Sequence, residues 1–87
     1  MMSSILRPSV STGSWIRVGE LNCVVSAVYE AGNPFGDCEV VFNPSNPSSD
    51  NARWDGEQWL FVEAPDYGGR GDAPRLKRYV EILRRGR

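Results

Sequence analysis

The sequence predicts an all-β fold: a small barrel of four to five strongly bent antiparallel strands, with a short helical turn before the last strand. Three observations carry this. Two β-type runs, residues 21–29 and 38–42, flank a polar turn punctuated by Gly32, Pro34 and Gly36, which is the pattern of a hairpin. A second pair of runs meets at Asp55-Gly56, a dipeptide suited to tight hairpins because it tolerates positive φ. All of this fits into 87 residues, a length that supports one small domain.

Taken in order, residues 1–14 hold five serines, one threonine, one proline and one glycine, with Ile5, Leu6 and Val10 as the aliphatic material. Such a segment buries too little to order itself and reads as a flexible N-terminal arm. Residues 15–87 form the single domain. Order begins with Trp15-Ile16-Arg17-Val18, where alternation predicts a strand that Gly19 ends. In the central strand Leu21, Cys23, Val25, Ala27 and Tyr29 share one face. The other face is half apolar, so both sides should be covered. Cys38, Val40 and Phe42 align in the next strand.

Residues 43–50 contain no apolar side chain and read as a mobile connection. Both Asn-Pro-Ser triplets in it are barred from glycosylation by the central proline. A two-residue turn at Asp55-Gly56 would set Trp54 opposite Glu57 and Ala52 opposite Trp59. A three-residue loop with a glycine bulge would shift that register by one. Either way Trp59 and Phe61 share a face and, with Phe42, read as core. Residues 64–74 are a glycine-rich loop, in which Arg70-Gly71-Asp72 reads as ordinary loop sequence. The last segment has two readings. Leu76, Tyr79, Val80 and Leu83 fit an amphipathic helix, whereas Val80-Glu81-Ile82-Leu83 suits a final strand after one helical turn. The strand reading is favoured, because a helix leaves Ile82 off the apolar stripe.

The order of hairpins, the Val18-Gly19 opening before a long strand and the short element before a final strand resemble the SH3-like barrels of Src-homology-3, Tudor and KOW type. The resemblance covers residues 15–83. Asn22 and Cys23 stand where the KOW pattern has a glycine. Residues 18–42 together with Trp54-Asp55-Gly56-Glu57-Gln58-Trp59 look most like short, uncharacterised bacterial proteins of this build.

The chemistry available is limited. With no histidine, the chain has no Ser/His or Cys/His nucleophile–base pair, and two cysteines alone cannot complete a tetrahedral zinc site. The carboxylates lack calcium-loop spacing, and no glycine motif cradles a phosphate. The expectation is a non-enzymatic protein without cofactor or metal. Cys23 and Cys38 lie in apolar runs and read as reduced core thiols of a cytoplasmic protein, with pairing left open. No secretory signal opens the chain, and no apolar run is long enough to span a membrane.

Two surfaces are candidates for binding. In SH3-like barrels the loops at one end shape the ligand groove, and the resemblance places Tyr29, Phe35, Trp54 and Tyr67 on those loops. Glu30, Asp37, Asp55 and Glu57 lie nearby in sequence. Rings and carboxylates together suit a cationic or proline-rich segment of another protein. The alternative is nucleic-acid binding through Arg75, Lys77, Arg78, Arg84, Arg85 and Arg87. Residues 74–87 carry six basic and one acidic side chain, net +5, while residues 1–73 carry four basic and ten acidic, net −6. Contact between two protein surfaces is the leading expectation and nucleic acid the second.

Overall fold

In the computed structural model, which describes residues 7–62, the backbone of 69–70, and residues 73–87, five strands close into a ring. They are β1 (Trp15–Val18), β2 (Leu21–Val28), β3 (Cys38–Phe42), β4 (Ser48–Trp54) and β5 (Trp59–Phe61). A short strand β6 (Gly69–Arg70) adds to β4 at Ser48 and Ser49. After a 3-10 turn at Pro74–Leu76 comes one α-helix, α1 (Lys77–Arg85). Consecutive strands from β1 to β5 pair antiparallel. A closed meander with an odd number of strands must bring its first and last strands together in parallel. β1 and β5 do so through a single register pair, Val18 with Trp59. The all-β expectation holds, and a small closed barrel of five strands is compatible with the SH3-like build.

The core has two layers. Val18, Cys23, Val25, Cys38, Val40, Ala52 and Trp59 fill the barrel, with Val10, Ile16, Phe42, Trp54 and Phe61 packed around them. Val24 and Val41, on the outer face of the sheet, meet Leu76, Val80 and Leu83 under α1. β2 is therefore covered on both faces, as its half-apolar second face requires. Each fully buried valine or leucine contributes roughly 1.5–3 kcal/mol. Both cysteines are free and buried. Cys23 lies opposite Ile16 and Cys38 opposite Val28, so neither faces the other across a ladder. Burial pushes both thiols up to about 12, and they stay protonated and unreactive at neutral pH.

Several expectations are corrected. The last segment is a helix placed after the final strand, not a turn followed by a strand. Pro74 opens it, and Gly86 at φ 90 closes it with an N–H to the Ile82 carbonyl. Ile82 is not stranded there: it packs at the edge of the outer layer, against the chain at Gly13. β4 starts at Ser48, inside the stretch read as a connection. Ser48, Ser49, Asp50 and Asn51 pair with Phe42, Val41, Val40 and Glu39, so sheet pairing overrides their low strand propensity.

The second hairpin takes neither expected register. Trp54 lies opposite Trp59 and Ala52 opposite Phe61, leaving a four-residue connection, 55–58. The Asp55 carboxylate accepts the N–H groups of Glu57 and Gln58, each at 2.8 Å, and this side-chain turn sets the longer loop. In β2 the pairing steps from Val25–Val40 to Ala27–Glu39, making Ser26 the extra residue of a bulge. The single face expected from Leu21 to Tyr29 is broken there: Cys23 and Val25 are buried, Leu21 is 44% exposed, and Ala27 and Tyr29 are half-buried.

Of the N-terminal arm, residues 7–14 lie along the barrel. The Gly13 N–H meets the Val25 carbonyl at 2.8 Å and the Val25 N–H meets the Ser14 carbonyl at 2.9 Å. Among the described residues no helix is long and apolar enough to cross a membrane.

Candidate binding cleft at the barrel seam

β1 is four residues long, yet only Val18 pairs with β5. Trp15, Ile16 and Arg17 have register partners on β2 alone, so their other edge borders the point where the ring is least fully joined. An open cleft of about 570 Å³ lies there, lined by Ile16, Arg17, Gly19, Trp54, Glu57, Gln58 and Trp59. Its lining carries charges of both signs, Arg17 of β1 and Glu57 of the β4–β5 connection, beside the two indoles.

The rings are held from behind. Trp54 and Trp59 meet edge to face, 5.4 Å between centroids at 63°. The backbone N–H of Trp54 donates to Asp37 Oδ2 at 2.8 Å. Asp37 also receives Arg7, whose Nη1 reaches Oδ1 at 3.2 Å and whose Nη2 donates to the Tyr29 carbonyl at 2.7 Å. The arm, the β2–β3 loop and the end of β4 are thereby tied at one carboxylate. The Trp54 indole Nε1 is shut off from solvent and has no acceptor among the described residues. Leaving a buried donor unmatched costs about 1–3 kcal/mol, which makes this nitrogen the least satisfied polar atom of the site.

The residues expected to bind are spread over several places. Trp54 lines the cleft, and Asp55 sits at the turn beside it, its carboxyl held below the usual range by the N–H groups of Glu57 and Gln58. Asp37 lies behind Trp54, engaged by Arg7. The Tyr29 hydroxyl donates to Asn51 Oδ1 at 2.8 Å, which commits it to β4. Phe35 is 55% exposed on the β2–β3 loop, where the Asn33 and Pro34 carbonyls accept from Arg53 and the Phe35 N–H meets Asn33 Oδ1. Glu30 is exposed on the same loop. Tyr67 lies outside the described residues, as do Gly71 and Asp72 of the Arg70-Gly71-Asp72 tripeptide.

The basic segment also divides. Arg75 makes a bidentate pair with Glu39, 2.7 and 2.8 Å, and Ser26 donates to the same carboxylate at 2.8 Å. Arg75 thus fixes the start of the helical segment to the sheet. Lys77, Arg78, Arg84, Arg85 and Arg87 are exposed.

Ile16, Arg17, Gly19 and Gln58 line the cleft without having stood out in the sequence. The signal for them was the strand count: five meandering strands imply a parallel seam, and Val18-Gly19 is where it forms. Among the described residues no three His, Cys, Asp or Glu side chains gather as a metal site. Compared with known proteins, the chain matches no family model, no curated protein and no solved structure.

Proposed function

We propose that this chain is a non-enzymatic binding module that grips an extended segment of another protein in the seam cleft. The observation that carries the reading is Trp54: a large ring on an open cleft, with an N–H that lacks an acceptor. A peptide carbonyl would supply that acceptor once the indole turns its buried N–H toward the cleft, while Ile16 takes up apolar contact. Arg17 and Glu57 in the lining suit a segment carrying charges of both signs. An SH3-like build belongs to the same proposal, supported by the five-strand ring. A cytoplasmic setting belongs to it too, supported by the two free thiols.

The test is selection from a random-peptide display library, repeated on Trp54→Phe. Phenylalanine keeps a ring against Trp59 and removes the unmatched donor, so the variant should melt within about 5 °C of the wild type. Peptides selected on the wild type should bind the variant roughly 10-fold more weakly, the equivalent of about 1.4 kcal/mol. Peptides that bind both proteins equally would place the contact elsewhere.

A further inference from the structure

The outer face of α1 is independent of the cleft. The helix commits Val80 and Leu83 to the barrel, with Leu76 of the preceding turn, while Tyr79 and Ile82 sit at the edge of that contact. Lys77, Arg78, Glu81, Arg84 and Arg85 recur at i, i+1, i+4, i+7 and i+8, which gathers them on the opposite stripe. Arg87 follows past Gly86, its guanidinium 6.0 Å from the Trp15 ring. All five cations are exposed, and among the described residues none pairs with a carboxylate. Arg84 uses Nε on the Pro44 carbonyl at 3.2 Å, and among the described residues its two terminal nitrogens have no hydrogen-bond partner. Glu81 is the single acidic group on the stripe.

We infer that this stripe binds the phosphate backbone of a nucleic acid without reading its sequence. Four of the five cations are arginines, whose planar forks match phosphate oxygens two at a time. The Lys77/Arg78 pair and the Arg84/Arg85 pair lie seven residues apart, about 10 Å along the axis, so they reach separate phosphates of a continuous polyanion. No ring at the stripe is left open to stack a base: Tyr79 packs against the sheet with the Arg78 guanidinium 5.5 Å from its ring centroid, and Arg87 lies 6.0 Å from that of Trp15. That absence favours backbone contact over base contact. A membrane surface suits the face less well, because the helix's apolar side is already used against the barrel and has nothing left to insert. Arg75 takes no part, since Glu39 holds it.

The test is fluorescence anisotropy of the full chain with a mixed-sequence DNA duplex of about 20 base pairs. With four to five phosphate contacts, the expected Kd is roughly 10 µM at about 50 mM salt, weakening roughly 50- to 140-fold by about 150 mM. Arg84→Gln with Arg85→Gln should cost about 10-fold and roughly halve the salt slope. Lys77→Gln with Arg78→Gln, at the far end of the stripe, should do the same. Arg53→Gln, on β4 with its guanidinium on the β2–β3 loop carbonyls, should change nothing beyond about twofold. Absence of saturable binding at the lower salt overturns the inference, as does affinity unmoved by both double variants. Poly-glutamate binding as tightly as the duplex also overturns it and makes the partner an acidic protein.

Discussion

Gly36 and Gly56 both have positive φ, 131 and 107, but only one is hemmed in. A Cβ on Gly36 would stand 2.9 Å from the Ala52 carbonyl oxygen and 3.1 Å from Val62 Cγ2, whereas nothing lies within 4 Å of one on Gly56. Gly36→Ala should therefore cost strain and a backbone displacement, about 2–4 kcal/mol, and Gly56→Ala strain alone, about 1 kcal/mol. Urea midpoints of the two variants check the order; equal losses would mean that the β2–β3 loop yields freely. Glu39 gives a second residue-level expectation. The Arg75 guanidinium, with help from the Ser26 hydroxyl, holds its carboxyl below the usual range. A depressed folded-state value means this contribution is full above the unfolded value of about 4.3 and is lost as pH falls below it. In Glu39→Gln, stability should start lower at neutral pH and fall less steeply between about pH 5 and pH 3. Asp55 titrates downward in the same window but is present in both proteins, so the difference between the curves isolates Glu39. Parallel curves would show that the Arg75 pair contributes nothing.

Among the elements, α1 shows where sequence reading stops. The stripe of Leu76, Tyr79, Val80 and Leu83 was visible, but Ile82 argued against it until the chain at Gly13 was seen to cover that side. A contact between the first and last segments cannot be read from local periodicity. The same holds for β4: Ser48 to Asn51 look like loop because their strand character comes from pairing with β3, across a separate turn. By contrast β2, β3 and the existence of the second hairpin were legible, since each rests on local alternation and turn chemistry. The hairpin register was not, because it depended on whether Asp55 would cap two N–H groups. For α1 itself, Leu83→Ala removes a side chain that is 2% exposed between helix and sheet. The expected loss is about 2–4 kcal/mol in urea titration, with the barrel and helix unfolding in one transition. Two separate transitions would show that the barrel stands without the helix.

At the scale of the whole molecule, the ring geometry decides where a partner can reach the backbone. Four of its five joints are antiparallel ladders of three or more pairs, and the fifth is one pair, Val18 with Trp59. Of the aromatic set expected from the sequence, Trp54 lines the seam, the Tyr29 hydroxyl donates to Asn51 and Phe35 is exposed on the β2–β3 loop, while Tyr67 lies outside the described residues. Position near the turns was legible, but the contacts that hold these residues were not: Asn51 takes the Tyr29 hydroxyl, and Asp37 and Arg7 hold the backbone of Trp54 and Tyr29, all residues with no pattern of their own. The charge split was legible as well, and it resolves into one arginine bound to the body and an exposed stripe on the helix. The most direct measurement is a two-dimensional amide NMR titration of the isotopically labelled chain with a display-selected peptide. If the seam is the site, the Trp54 indole N–H resonance moves most, accompanied by the amides of Ile16, Arg17, Gly19 and Gln58. Shifts confined to the β2–β3 loop around Phe35, with the Trp54 indole unmoved, would contradict it.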